Sequence, residues 1–390
     1  DNRLKTYNGT TYYYDELGNL IHRELADGEV QNYFYDLHDQ LVKAEIFKKD
    51  GTKETWSYTY DALGRRIGKG RLKDSQEVSD DLSNQTRFVW EGSHLLQEIH
   101  PDGRYTYIYT DPDSYEPLAQ IRDWTTKDGK KRQQTHYFHC DQIGIPREMT
   151  DKDGNLLWFG NYTGWGRLKE ETKVTDSAYQ PFRLQNQYAD HETGLHYNFF
   201  RYYEPDAGRF VNQDPIGLMG GDNFYHFAPN ILKWIDALGW SRWTKTEVLG
   251  RRVYKNDTLF TPTRKVSWKD ATSPTGYKCG TNLDRMCEGM APIGKDGKSV
   301  ELHHLTQQEV LRNGKRGSLA EVSWTIHTKY TAILHIPFPR NPNKRSQTLP
   351  RFPSFRRNND GTPSTLAAEF DNYRSAYWKE RAKDFGRTCD

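Results

Sequence analysis

Three related stretches indicate the fold of the first part of this chain: TTYYYDELGNLIHRE at residues 10–24, QNYFYDLHDQLVKAE at 31–45 and WSYTYDALGRRIGKG at 56–70. In each stretch, alternating aromatic residues lead to a Tyr-Asp pair and then to a turn-forming segment. Alternating aromatics suit one face of a pleated strand, while Asp and Gly favour tight turns. We therefore predict a strand, a turn and a returning strand in each unit, with neighbouring units stacked because one repeat cannot bury its own face. An ordinary antiparallel β domain is the alternative interpretation.

The segments YFHCDQIGIPREMTDKDGNLLWFGNYTGWG (137–166), PFRLQNQYADHETGLHYNFFRYYEPDAGRFVNQDPIGL (181–218) and GGDNFYHFAPNILKWIDALGW (220–240) resemble the end of Rhs and YD-repeat toxin shells. The resemblance implies a β-strip that forms a hollow cocoon, cleaves itself and releases a C-terminal toxin. We expect a partial shell here, because the chain begins in mid-pattern and reads as a fragment of something longer. The predicted domains are a YD-repeat strip at 1–135, a core-associated domain at 136–240 and a toxin domain at 241–390.

The charge of the chain changes sign at the same place. Residues 241–390 hold 27 Lys and Arg against 15 Asp and Glu, a net charge of +12, whereas residues 1–240 have a net charge of −10. Such asymmetry points to a segment that faces nucleic acid, although a solvated basic surface is also compatible with it. No apolar run is long enough to span a bilayer, and the first residues do not have the pattern of a secretory signal.

The four cysteines do not form a metal-binding or disulfide pattern. No CxxC pair is present, and we expect free buried thiols, although Cys279 and Cys287 are close enough in sequence to approach each other.

Two similar pentads lie near residue 240: Asp214-Pro215-Ile216-Gly217-Leu218 and Asp236-Ala237-Leu238-Gly239-Trp240. Carboxylates that share a site separate their pKa values, so that one serves as base and the other as acid. By the sequence alone, these aspartates are turn residues. The resemblance to Rhs shells implies instead that Asp214 and Asp236 are an autoproteolytic pair that cuts between Trp240 and Ser241. Arg209 is a candidate for holding one carboxylate ionised, or for a structural salt bridge.

The most chemically distinctive part of the toxin segment is GKDGKSVELHHLTQ at residues 294–307. It predicts a turn followed by a short strand that ends in Glu301-Leu302-His303-His304. Side chains of adjacent strand residues point to opposite faces, so we expect one histidine to bind metal and the other to act as a base.

Downstream, Ser318 and Glu321 have the spacing of a capping box, which predicts a helix that begins at Ser318 and carries His327 in its second or third turn. If this helix continued to His335, the two histidines would be about 12 Å apart along its axis, too far to share an ion. Either the helix breaks between them or only one is a ligand.

ELHH, with the preceding APIGKDGK and the later GSLAEV, resembles the LHH toxins of the HNH/endonuclease VII superfamily. The resemblance implies a small α+β domain with a ββα-metal finger, in which His303 is a metal ligand, His304 the general base and Glu301 an orienting group. His327 and His335 are the candidate remaining ligands or phosphate contacts. A basic run that includes Arg351, Arg356 and Arg357 is a candidate nucleic-acid contact or a solvated loop.

These features predict a mainly β partial shell followed by a metal-dependent DNase, with an RNase and a non-catalytic binding cargo as alternatives. The expected cofactor is a divalent ion, with Mg favoured by phosphate chemistry and Zn or Ni by imidazole ligands. The expected partners are DNA, a cognate immunity protein, the rest of the shell and the secretion machinery. We expect a secreted effector made in the bacterial cytoplasm and delivered into a target cell, with a type VI system as the expected route.

Overall fold

A computed structural model describes residues 2–72, 82–111, 114–175, 178–214, 223–227, 234–235, 243–304, 316–329 and 364–389. The chain divides into two compact units, Asp1–Arg242 and Trp243–Asp390. The bounds of the three predicted domains remain predictions. No helix among the described residues has the length and apolar character needed to cross a membrane.

The first unit is built on a 15-stranded antiparallel sheet whose strands follow one another in chain order. Its strands are β1 (Thr6–Tyr7), β2 (Thr10–Tyr14), β3 (Leu20–Glu24), β4 (Val30–Tyr35), β5 (Leu41–Phe47), β6 (Lys53–Tyr60), β7 (Arg66–Leu72), β8 (Leu82–Glu91), β9 (His94–His100), β10 (Gly103–Tyr109), β11 (Pro117–Thr125), β12 (Lys131–Cys140), β13 (Pro146–Thr150), β14 (Leu156–Tyr162) and β15 (Leu168–Lys173). A second sheet contains β16 (Tyr188–Ala189), β17 (His196–Asn198), β18 (Arg201–Glu204) and β19 (Arg209–Phe210). A further short strand outside these two sheets, β20, is Trp234–Ile235.

The Tyr-Asp units form turns as predicted. In the first, Oδ1 of Asp15 accepts a hydrogen bond from the Asn19 amide at 2.8 Å, and Gly18 has a positive φ of 88°. In the second unit, Asp39 occupies the position that Gly18 has in the first. The φ of Asp39 is also positive, at 58°. Asp is one of the few non-glycine residues that tolerate this region, which explains why the repeat survives the loss of its glycine.

The core of the first unit lies between the long sheet and the segment that contains the second sheet. Tyrosines from the repeats, such as Tyr33 and Tyr58, are buried against Tyr197 and Tyr202. The core also contains a buried ion pair, in which Arg66 donates to both carboxylate oxygens of Asp190 at 2.5 and 3.0 Å. A buried charge of this kind is tolerated because its partner compensates for lost hydration.

The second unit is a small α+β unit. Four of its strands lie in the order β21 (Trp243–Val248), β22 (Arg251–Lys255), β26 (Leu319–Val322) and β25 (Glu301–His304). A separate hairpin is made by β23 (Lys265–Lys269) and β24 (Tyr277–Thr281). The helices are α1 (Asn282–Cys287), α2 (Trp324–Lys329) and α3 (Thr365–Ala382), and α3 packs its Phe370 and Trp378 into the core with Leu302 and Leu319.

The expectation of free cysteines is wrong for two of the four. Cys287 at the end of α1 is bonded to Cys389, and their Cα atoms are 4.9 Å apart. Because 102 residues separate the two in sequence, only the packing of α1 near α3 brings them together. Cys140 and Cys279 are free thiols as expected, but the expected burial is wrong, because the first is half-buried and the second exposed.

Candidate active site

Two antiparallel strands and a short helix carry the candidate residues of the second unit. β25 pairs with β26 so that His303 lies opposite Ala320 and His304 opposite Leu319. α2 follows β26 directly along the chain. The described residues therefore contain two strands followed by a helix along the chain. The metal of the predicted ββα finger remains a prediction.

The predicted start of the helix at Ser318 is wrong, because the residues after Ser318 form β26. Glu321 is fully buried in that strand, where its Oε1 accepts a hydrogen bond from Nε of Arg381 at 2.8 Å. This buried ion pair prevents Glu321 from completing a capping box. The helix begins after Ser323 instead, whose Oγ accepts a hydrogen bond from the Ile326 amide at 3.2 Å.

One face of β25 meets α2. The rings of His303 and His327 have centroids 5.0 Å apart, and Nδ1 of His303 is 3.1 Å from Nε2 of His327. The other ring nitrogen of His327, Nδ1, is 2.5 Å from Oε2 of Glu301. Glu301 and His303 share a face because they are two residues apart in a strand. His327 is thus placed between a carboxylate and a second imidazole.

This pair of imidazoles fits two ligands of one cation. Two nitrogens bound to a common ion at about 2.1 Å are expected to be roughly 3.0–3.4 Å apart, which includes the separation of the His303 and His327 nitrogens. The carboxylate of Glu301 suits the role of a hydrogen-bond partner that fixes a ligand histidine. The described residues contain no cluster of three metal-binding side chains. His335, a predicted candidate, lies outside them.

His304 faces the opposite side of β25, as the alternation of a strand requires. Its ring centroid is 4.7 Å from that of Phe370 in α3, and the residue is 9% exposed. The packing against Phe370 restricts the orientation of the imidazole. The neighbouring histidines of the ELHH motif therefore have different surroundings, which is compatible with different roles.

Asp296 is a residue whose contribution was not predicted. One of its carboxylate oxygens, Oδ2, accepts hydrogen bonds from the amide and the hydroxyl of Thr325 at 3.0 and 2.9 Å. Thr325 is in the first turn of α2, two residues before His327. Asp296 thereby ties the turn before β25 to the helix. The Lys-Asp-Gly sequence identifies a turn, but a partner 29 residues away leaves no local sequence signal.

The aspartate of the first predicted pentad lies in the first unit. The side chain of Asp214 is 7% exposed, and its Oδ2 is 3.3 Å from Nη1 of Arg201. Arg209, the predicted support, instead donates to the backbone oxygen of Asn2 and lies 4.9 Å from the ring centroid of Tyr225. The structure thus identifies Arg201 as an ion-pair partner of Asp214.

The remaining predicted site residues fall outside the described part of the chain. They are Asp236, Trp240, Ser241, His335, Arg351, Arg356 and Arg357.

Two protein families match separate parts of the sequence. The family described as "LHH: A nuclease of the HNH/ENDO VII superfamily with conserved LHH" matches residues 281–384. The family described as "RHS protein" matches residues 135–172. The first match contains the entire described histidine cluster.

Several named relatives match a large part of the chain. Double-stranded DNA deaminase toxin A of Burkholderia cenocepacia is 38% identical over 248 residues, which is 61% of this chain and 17% of the relative. The probable deoxyribonuclease RhsA of Dickeya dadantii is 30% identical over 247 residues, or 61% of this chain and 16% of the relative. This chain therefore spans less than a fifth of the length of either relative.

A solved structure, "Crystal Structure of TcdB2-TccC3 without hypervariable C-terminal region", aligns with 59% of this chain and 13% of its own. The TM-score is 0.42 and the sequence identity 20%. The sequence matches confirm the resemblance noted above: residues 135–172 match the RHS family, and residues 281–384 match the LHH nuclease family of the HNH/ENDO VII superfamily.

Proposed function

We propose that residues 241–390 are a metal-dependent nuclease that hydrolyses phosphodiester bonds in DNA. The observation that carries the proposal is the position of His327, which contacts the carboxylate of Glu301 on one side and the imidazole of His303 on the other. The LHH match over residues 281–384 and the probable deoxyribonuclease among the relatives support it.

In this proposal, His303 and His327 hold the cation, with His335 as a candidate third ligand. A bound divalent cation supplies positive charge that stabilises the charge developing on the phosphate. Glu301 accepts a hydrogen bond from Nδ1 of His327, which leaves Nε2 of that ring as the ligand atom. His304 deprotonates the attacking water, a task for which a neutral imidazole is suited.

Plasmid nicking tests this proposal. Supercoiled DNA is incubated with the 390-residue chain and Mg²⁺, Mn²⁺ or Zn²⁺, with and without EDTA, and a matched duplex RNA is incubated in parallel. We expect nicking of DNA that EDTA abolishes and that His304→Ala reduces by at least about 100-fold. The exposed His38 of the first unit provides the control His38→Ala, which should nick DNA as the wild type does. Binding of DNA without any cleavage would instead support a non-catalytic cargo.

We further propose that the chain cleaves itself between Trp240 and Ser241 through Asp214 and Asp236. The ion pair of Asp214 with Arg201, at 3.3 Å, supports Asp214 as the member of the pair that acts as a base, because a nearby positive charge favours a carboxylate. Denaturing electrophoresis should show fragments of 240 and 150 residues from the wild type and an intact chain from Asp214→Asn. An uncleaved wild-type chain would count against this arrangement.

The biological role that fits both activities is that of an antagonistic effector. The name of a relative, Toxin protein Tse5 of Pseudomonas aeruginosa, which is 35% identical over 252 residues, supports a toxin. We propose delivery into a target cell, with a type VI system as the route, and neutralisation in the producing cell by an immunity protein. Coexpression of genes that neighbour the coding sequence, scored by rescue of growth, would identify that protein.

A further inference from the structure

The hairpin of β23 and β24 has two different faces. Its register pairs Lys265 with Thr281, Ser267 with Cys279 and Lys269 with Tyr277. Because directly opposed residues of an antiparallel pair share a face, these six side chains lie on one side of the hairpin. Trp268 and Lys278, which oppose each other, lie on the other side.

The side that carries Trp268 is anchored to the rest of the second unit. Trp268 is 4% exposed, and its indole Nε1 donates a hydrogen bond to Oε2 of Glu288 at 2.8 Å. The other carboxylate oxygen of Glu288 forms an ion pair with Lys278. The hairpin is therefore held against the end of α1 by one of its faces.

The opposite side, which we call the open face, consists of Lys265, Ser267, Lys269, Tyr277, Cys279 and Thr281. It carries two positive charges and no negative charge. Neither lysine forms an ion pair with any residue that the structure describes. Tyr277 is 53% exposed, although a tyrosine ring usually gains from burial. The open face thus presents cations and an aromatic ring to solvent.

The base of the hairpin is connected to the candidate active site. Arg264, which precedes β23, donates from Nη1 to the carbonyl oxygen of Gly294 at 2.8 Å. Two residues further, Asp296 holds Thr325 in the helix that carries His327. One turn, residues 294–297, therefore contacts both the hairpin and α2. This turn thus connects the base of the hairpin to the helix that carries His327.

We propose that the open face docks the backbone of double-stranded DNA, an inference that rests on the nuclease function proposed above. Lysines outside ion pairs are suited to phosphate oxygens, and an exposed tyrosine can donate to a phosphate or contact a sugar. Such contacts position the duplex without reading its sequence, as suits a nuclease toxin.

DNA binding by the full chain tests this assignment in a His304→Ala background, where cleavage does not interfere. The double variant Lys265→Gln/Lys269→Gln should weaken binding of a short duplex roughly tenfold or more at physiological salt. It should also reduce the magnitude of the slope of log K against log salt by about 1.8, because two phosphate contacts are lost. Lys278→Gln removes one positive charge from the anchored face, against two in the double variant, and should leave both quantities close to those of the parent. Equal effects of the two changes, or an unchanged salt slope in the double variant, would overturn the proposal.

The thiol of Cys279 supplies a second readout that needs no charge variant. Cys279 is exposed on the open face, whereas the only other free thiol, Cys140, belongs to the first unit. Duplex DNA should slow the alkylation of Cys279 several-fold and leave Cys140 unaffected. Unchanged alkylation of Cys279 at saturating DNA would contradict docking on this face. Slower alkylation of Cys279 with duplex RNA but not with duplex DNA would also contradict it.

The two proposals fail in different ways. A wild-type chain that does not cut DNA would remove the nuclease function while hairpin-dependent binding could still be measured. A chain that cuts DNA, but whose double lysine variant binds as the parent does, would retain the nuclease and lose the docking surface.

Discussion

The carboxylate of Glu301 lies 2.5 Å from Nδ1 of His327, while Nε2 of the same ring lies 3.1 Å from His303. The imidazole of His327 is thus oriented by a carboxylate on one side and aligned with a second imidazole on the other. A carboxylate hydrogen-bonded to a histidine in this way fixes the tautomer and the orientation of the ring.

Replacing Glu301 should therefore weaken metal binding without unfolding the unit. For Glu301→Gln, we expect a loss of roughly 10- to 100-fold in apparent metal affinity, measured as the metal concentration that gives half-maximal nicking. Glu380→Gln, which alters an exposed carboxylate of α3, should have no effect. A normal metal titration for Glu301→Gln would show that the contact with His327 does not support the site.

Asp296 should influence activity through the position of α2. Asp296→Ala removes the acceptor of both Thr325 hydrogen bonds and should cost about 1 kcal/mol of stability, as the loss of a helix cap does, together with a drop in nicking rate. Asp296→Asn keeps an oxygen acceptor and should restore much of the rate. If Asp296→Asn and Asp296→Ala had equal melting temperatures and nicked DNA equally slowly, a role of Asp296 in positioning α2 would be excluded.

The disulfide between Cys287 and Cys389 should stabilise the second unit. Because it closes a loop of 102 residues, its removal is expected to cost about 2–5 kcal/mol. Thermal unfolding with and without reductant would measure this cost, and the double variant Cys287→Ser/Cys389→Ser should be insensitive to reductant. Free thiols at both positions in the oxidised wild-type chain, detected by mass after alkylation, would contradict the pairing.

Arg201 and Arg209 can be separated by their effects on self-cleavage. Since Arg201 is the guanidinium 3.3 Å from Asp214, Arg201→Gln should slow the appearance of the two fragments at least about tenfold, whereas Arg209→Gln should act weakly. Melting of the first unit would be recorded for both variants, because Arg201 is buried. The reverse ranking, with both variants folded, would return the role to Arg209.

Much of the first unit could be predicted because its signals are local. An Asp side chain that accepts an amide hydrogen bond within five residues, and a strand that alternates aromatic residues, are both properties of a short stretch such as residues 10–24. The opposite orientation of His303 and His304 followed from the same two-residue period of a strand.

The errors in the second unit came from contacts between distant residues. Ser318 and Glu321 have the spacing of a cap, but the burial of Glu321 against Arg381 favours a strand at this place. Likewise, no local pattern pairs Cys287 with Cys389. In the first unit, too, the contact of Arg201 with Asp214 depends on packing and has no local sequence signal.

The most direct test of the nuclease site compares His303→Ala with His304→Ala in single-turnover plasmid cleavage over a range of metal concentrations. Loss of a metal ligand and loss of a general base should change different quantities. His303→Ala should raise the metal concentration that gives half the maximal rate. His304→Ala should lower the maximal rate by at least about 100-fold and leave that midpoint concentration unchanged. Wild-type rates and midpoints in both variants, or an undiminished wild-type rate in EDTA, would contradict a metal-dependent site built on the ELHH strand.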